Sequence, residues 1–211
     1  MSKRVPQPYF MPSSLGEFVD PKHTALIMWD FQKGLAGRAS NAAPMQEAAK
    51  RLLKAADDAG VFVIWSRHTL PPFDILPGPW MLLMMKRQGV SRPEDVKPVF
   101  QKGGEDVEFV PGFEPAPHHL VLEKSQPSLF VDTPLDNRLK ARGIRTVVLA
   151  GFATDIGIDF NARHASAEGY FAIVAEDACG AHTPEGHERS LAYLRGWVQV
   201  ASTSSIMEAW R

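Results

Sequence analysis

Five short stretches of the chain are apolar almost throughout: residues 25–29 (ALIMW), 61–65 (VFVIW), 120–122 (LVL), 146–150 (TVVLA) and 171–175 (FAIVA). A sixth, 197–201 (WVQVA), is broken only by Gln199. Runs without polar alternation are typical of strands covered on both faces, hence of a parallel sheet. Between them lie segments with helical spacing. Over 42–59, Met45, Ala48, Ala49, Leu52, Leu53 and Ala56 share a face, and Gly60 is a natural stop. Residues 132–142 end before Gly143, and 153–168 end before Gly169. Thr183 is an N-cap with Pro184 in the first helical position, and that helix runs to about residue 195. A short helix follows the last strand. This alternation predicts an α/β protein: a three-layer α/β/α architecture around a doubly wound, parallel six-stranded sheet of Rossmann-like topology.

No repeat or low-complexity tract interrupts the pattern. At roughly 100–200 residues per domain, a length of 211 predicts one domain over 1–211. Residues 69–118 break the rhythm. They hold many of the prolines and mix Phe73, Trp80, Met81, Met84, Met85, Phe100, Phe109 and Phe113 with charges. Irregular segments of this length commonly form lids, so 69–118 is expected to be a lid or subunit-contact insertion; the alternative is a surface excursion packed on the core.

Charge narrows the function. Lys and Arg total 23 against 24 Asp and Glu, a net charge of -1 that lacks the basic footprint of a nucleic-acid binder. The expected partner is a small-molecule substrate. No run of about 18 apolar residues exists, so no membrane span is expected; residues 80–85 (WMLLMM) are far too short. Residues 1–20 are polar, contain Pro6, Pro8 and Pro12, and lack the apolar segment of a secretory leader. The one cysteine, Cys179, permits no internal disulfide. A cytoplasmic location is expected.

In open parallel sheets, ligands sit beyond the carboxyl ends of the strands. Asp30 ends the first apolar run, where partial desolvation raises a carboxylate's pKa and suits it to acid/base work; bracing a loop is the bland alternative. Lys124 ends the third, placed to hold such a carboxylate ionised or to stabilise developing charge; a lysine reaching out from the sheet edge is the alternative. The turn from Gly151 to Gly157 opens a helix whose N–H groups can receive an oxyanion. It is not GxGxxG, and neither GxxxxGK[ST] nor GxSxG occurs, so no cofactor is expected. His68 is the one histidine near a strand end on this side. His118 and His119 are adjacent and should point opposite ways on an extended chain, and no HExxH is present, so no metal is expected. Phe31, Trp65 and Phe152 are compatible with an aromatic or apolar substrate body, although Phe31 and Trp65 fit equally well as core. Lys33, Arg67 and Arg87 are candidates to pair with a carboxylate. Arg163 and His164 read as solvated or subunit-facing helix positions.

Taken together, HTALIMWDFQKGL, HHLVLEKSQPSLFVDTPLDNRLKARGIRTVVLAG and GFATDIGIDFNARHASAEGYFAIVAEDACGAHTPEGHERSLAYL resemble the isochorismatase-like hydrolase superfamily, which includes nicotinamidases and N-carbamoylsarcosine amidohydrolases. The resemblance spans roughly residues 24–207 and is weakest over 71–117. It implies that Asp30 is the acid/base, that Lys124 is its partner, that a non-proline cis bond falls at Phe152–Ala153, and that Gln32, Ala153 and Thr154, with Phe31, His68 and Phe152, line the substrate. It also implies a homodimer or homotetramer. The amidases of this superfamily carry a nucleophilic Cys where this chain has Gly157; isochorismatases, which hydrolyse a vinyl ether, carry Gly there. The turn 152–155 (FATD) is nevertheless closer to the amidase pattern. The metal site of nicotinamidases lacks its full set, since only His68 falls in its region. Cys179 lies one turn past the site and reads as a small buried apolar residue. The implied activity is a Cys-independent hydrolase with water as nucleophile, acting on a vinyl ether or similar bond. Hydrolysis of a small amide or urea at its C–N bond is the alternative, and a catalytically silent ligand-binding relative is the third.

Overall fold

The structure is a computed structural model that describes residues 10–211; Pro6 and Pro8 of the polar N-terminal stretch lie outside the described residues. In chain order the elements are α1 (Leu15–Phe18), β1 (Thr24–Trp29), α2 (Ala42–Ala59), β2 (Phe62–His68), α3 (Gly78–Gln88), β3 (Leu120–Lys124), α4 (Leu135–Ala141), β4 (Thr146–Phe152), α5 (Asp159–Ala167), β5 (Phe171–Gly180), α6 (Pro184–Leu194), β6 (Gln199–Ala201) and α7 (Thr203–Ala209). The strands form one sheet in the order β3-β2-β1-β4-β5-β6, with every pairing parallel. The chain winds outward from β1 through β2 to β3, then crosses back to β4 on the other side. The switch point lies between β1 and β4, where the carboxyl ends diverge and leave a crevice.

Burial explains why the runs become central strands. All six residues of β1 and all seven of β4 are buried. Side chains alternate across β1: Leu26 and Met28 join the layer with α2 and α7, whereas Ala25, Ile27 and Trp29 join the layer with α4, α5 and α6. The predicted three-layer sandwich is the fold observed. Helix α2 matches its predicted span, buries Met45, Ala48, Ala49, Leu52 and Ala56, and ends at Gly60 in the left-handed conformation.

Elsewhere the boundaries move for local reasons. Helix α4 starts three residues later than its periodicity, because Asp132 has φ 58° and Pro134 precedes the first turn. The helix expected over 153–168 opens instead with a wide turn, Thr154–Ile158, before α5. Strand β5 runs five residues past residue 175, through Glu176 and Asp177, which hid the continuation, to the buried Ala178, Cys179 and Gly180. The expected loop 69–118 contains helix α3, with Pro79 in its first turn and left-handed Gly89 after its end. Its WMLLMM core is apolar all round and shows no helical period. No helix among the described residues is long and apolar enough to cross a membrane.

Candidate active site

Asp30 follows β1 with φ 54°, a left-handed backbone that aspartate tolerates better than bulky residues. Ser66 of β2 fixes it twice: the hydroxyl accepts from Asp30 N at 2.9 Å and donates to Oδ1 at 2.5 Å. From the end of β3, Lys124 reaches past β2 and donates to Oδ2 at 2.7 Å. Both partners are buried, Asp30 5% and Lys124 7% exposed. Burial raises the Asp30 carboxyl above the ordinary carboxylate range, against the opposing pull of Lys124 and Ser66. Burial likewise lowers the Lys124 ammonium, with Asp30 opposing. The result is a carboxyl that holds a proton more readily than a surface aspartate and is oriented by two fixed donors, as acid/base chemistry requires.

Across the crevice, β4 ends at Phe152 and the Phe152–Ala153 peptide bond is cis. The chain then enters the wide turn that carries Gly157. A Cβ built on Gly157 would lie 2.1 Å from Trp29 Nε1 and 2.3 Å from Cε2. The Trp29 indole therefore occupies the space in which a side chain at 157 would begin. Gly151 is needed for a second close approach: with φ 138°, its Cβ would lie 2.0 Å from the Trp29 carbonyl oxygen. The Lys124 ammonium rests 4.0 Å from the centre of the Trp29 ring.

Trp29, Asp30, Lys124, Phe152 and Gly157 line a cavity of about 310 Å³ together with Arg38, His68, Trp80, Arg87, Phe100, Ala153, Ile156 and His182. Its charged lining is three cations, Arg38, Arg87 and Lys124, against the one carboxylate of Asp30. Such a cavity favours an anionic ligand. Segment 69–118 contributes Trp80, Arg87 and Phe100. His68 is held neutral, its pKa well below the usual imidazole value, because burial comes first and Lys124 and Arg87 add like charge. Its Nδ1 is buried without a hydrogen-bond partner.

Asp30, Lys124, Gly157, His68, Phe152 and Ala153 are thus brought together as expected, but three other candidates are not. Phe31 is fully buried in the layer of Leu26 and Met28, stacked on Phe113 with ring centres 4.4 Å apart, because the left-handed backbone at Asp30 breaks the strand's alternation. Gln32 is also fully buried and works as a staple: Oε1 accepts from His68 N at 2.6 Å, and Nε2 donates to His68 O and Val107 O at 3.0 Å. Thr154 is buried too, its hydroxyl 2.8 Å from His187 Nδ1. Of the carboxylate-pairing candidates, Arg87 reaches the cavity, Lys33 pairs with Glu108 at 2.6 Å, and Arg67 faces Glu123 and the Phe109 ring. Trp65 is core. Cys179 is fully buried, and burial pushes its thiol up to about 12. Nothing in the sequence pattern marks Arg38, His182 or Trp29. Arg38 sits on an isolated turn, His182 lies beyond the hidden end of β5, and Trp29 looks like any core aromatic.

At the opposite end of the sheet, His118 and His119 do not point apart. Their rings lie 4.4 Å from each other and both reach Asp57 Oδ1, His118 at 3.4 Å and His119 at 2.7 Å. The three have metal-ligand spacing. However, His119 Nδ1 accepts from two obligate donors, Trp65 Nε1 and Ala116 N, each at 3.0 Å. The proton is therefore on Nε2, donated to Asp57, and no lone pair there is free for a metal.

Comparison with known proteins gives the family and the fold. The isochorismatase domain family matches residues 24–205. The ureidoacrylate amidohydrolase RutB of Methylorubrum extorquens is 32% identical over 198 residues, covering 85% of this chain and 80% of that protein. The enzyme of the same name from Cronobacter turicensis is 33% identical over 174 residues, 75% of each chain. Among solved structures, a cysteine hydrolase from Pseudomonas syringae pv. phaseolicola superposes with a TM-score of 0.78 at 24% identity, covering 90% of this chain and 93% of that one. The nicotinamidase PncA of Bacillus subtilis superposes with a TM-score of 0.71 at 24% identity, covering 85% and 99%. With its strand-end Asp30 and Lys124 at the switch point of a matching sheet, the chain belongs to the isochorismatase family of hydrolases.

Proposed function

We propose that this hydrolase cleaves the C–N bond of a small carboxylic acid bearing an amide or ureido group, with water as the attacking nucleophile. One observation carries the mechanism: the buried Asp30–Lys124 pair faces a cationic cavity in which position 157 has no side chain and its place is filled by the Trp29 indole. The substrate class is supported by relatives, matched over 75–80% of their length, that are ureidoacrylate amidohydrolases. Asp30 takes a proton from water as its oxygen bonds to the carbonyl carbon. Lys124 stabilises the negative charge that gathers beside it. Asp30 then returns the proton to the departing nitrogen as the C–N bond breaks, leaving an amine or ammonia and an acid. Arg38 and Arg87 hold the substrate's carboxylate.

A second reading, hydrolysis of a vinyl ether such as isochorismate, is favoured by one feature, the glycine at 157. There Asp30 would protonate the substrate and water would complete the cleavage. Assay of the purified protein against a panel of N-carbamoyl and N-acyl amino acids, and against isochorismate, separates the two. Release of ammonia or amine with ¹⁸O from labelled water entering the acid product is expected. Turnover of isochorismate alone replaces the first reading with the second. Asp30→Asn is expected to lower kcat by about 10²–10⁴-fold, and unchanged kcat would remove Asp30 from the chemistry.

A further inference from the structure

The floor of the cavity carries a polar atom that the chemistry above leaves unused. Trp29 is 1% exposed, yet its Nε1–H has no hydrogen-bond partner among the described residues. The other fully or nearly buried indoles differ: Trp65 donates to His119 Nδ1 at 3.0 Å, and Trp210 donates to Val19 O at 2.8 Å. A donor that lines a cavity and pairs with no described protein group is free to pair with an acceptor on a bound molecule. It is the nitrogen-bearing edge of the indole, Nε1 and Cε2, that lies against Gly157, and both residues line the cavity with Asp30 and Lys124. Glycine at 157 allows the ring to sit there, glycine at 151 admits the Trp29 backbone, and the Lys124 ammonium lies on the ring's face. His68, whose Nδ1 is buried without a hydrogen-bond partner, lines the same space.

We propose that Trp29 is a substrate-contacting residue: its Nε1–H, seated over Gly157, donates to an acceptor oxygen of the bound molecule, the carbonyl oxygen of an amide or ureido group. Naming the carbonyl rests on the proposed hydrolysis; the contact itself does not. The ligand class follows from the donors present. Trp29 Nε1–H and the Lys124 ammonium both line the cavity and suit an oxygen-rich group, while Arg38 and Arg87 suit an anionic end.

The test uses the intact protein labelled with ¹⁵N at its indoles, which gives one N–H signal for each of five tryptophans. N-carbamoylglycine is the probe, and Trp29→Phe, which keeps a ring against Gly157 and beneath Lys124, assigns the Trp29 signal. If that variant does not fold, the signal is assigned by difference from Phe variants of the other four. The Trp29 signal is expected to move downfield and saturate with the probe while that of Trp197 stays still. Trp29→Phe is expected to weaken the probe at least tenfold, about 1.4 kcal/mol, with Arg87→Ala weakening it through a separate contact. Saturation visible at Trp80 with the Trp29 signal unmoved overturns the contact, as does equal affinity in Trp29→Phe, or no movement of any indole signal. Binding with the expected shift but without hydrolysis of any member of the N-carbamoyl and N-acyl panel keeps the contact and refutes the proposed activity instead.

Discussion

Adding one methyl group at position 157 tests the packing on which the site depends. Gly157 lies in the wide turn Thr154–Ile158 and is not among the glycines with positive φ. Alanine is therefore free of backbone strain there, and its helical propensity would favour it by up to ~1 kcal/mol. The side chain reverses the sign. Its Cβ would stand 2.1, 2.3 and 2.6 Å from three atoms of the Trp29 indole, where ordinary carbon contacts need about 3.5–4 Å. The ring must retreat by about 1 Å or more, yet it is 1% exposed and packed in the same cluster as Ile158 and Leu149. Overpacking of this kind typically costs ~1–3 kcal/mol, which sets the expected loss for Gly157→Ala. Denaturant unfolding reads it as a lower midpoint at unchanged slope. Trp29→Val alone should lose ~3–5 kcal/mol by opening a cavity. In that background Gly157→Ala should be neutral or stabilising, so the cycle is non-additive by at least ~1 kcal/mol. An alanine variant as stable as the parent, or the same loss in both backgrounds, would refute the packing argument.

Two further expectations concern titratable groups. Iodoacetamide at pH 8 should leave native Cys179 unlabelled and turnover intact, since the Sγ donates to Leu149 O at 3.6 Å and a thiol pushed up to about 12 is almost wholly protonated; rapid native labelling with loss of turnover would restore a cysteine mechanism. His68 should couple stability to pH. Its folded pKa is depressed well below the ordinary value, so below pH ~6.5 the unfolded chain takes up a proton that the folded chain does not, and stability falls with pH. His68→Gln removes that loss. The variant should therefore gain on the parent by at least ~1 kcal/mol between pH 7.5 and pH 5, and parallel curves would show that the imidazole is not held neutral.

How much of the site could be seen beforehand depends on what each residue's role consists of. Asp30 and Lys124 announce themselves, because a charge closing an apolar strand marks the sheet's carboxyl end. Phe31 misleads because it neighbours Asp30; alternation along β1 would set it on the face of Trp29, and only the left-handed turn at Asp30 sends it onto Phe113 instead. Gln32 and Thr154 are polar and near the site, but their hydrogen bonds turn inward to His68, Val107 and His187, and only coordinates reveal where a bond goes. His118 and His119 show the converse, since a turn before β3 brings adjacent rings onto one aspartate.

Period and composition along the chain determined the layered α/β architecture, the parallel sheet and the side of it on which chemistry belongs, because those follow from local burial patterns. The resemblance to the superfamily, rather than the pattern, marked Gly157 as the place where its amidases carry a nucleophile. What only the tertiary structure decided is what stands there instead. Strand order brings Lys124 across β2 to Asp30, 94 residues away, and the crossing from β1 to β4 sets the edge of Trp29 against Gly157. Both are contacts between distant segments, and local sequence carries no record of which distant side chain fills a gap.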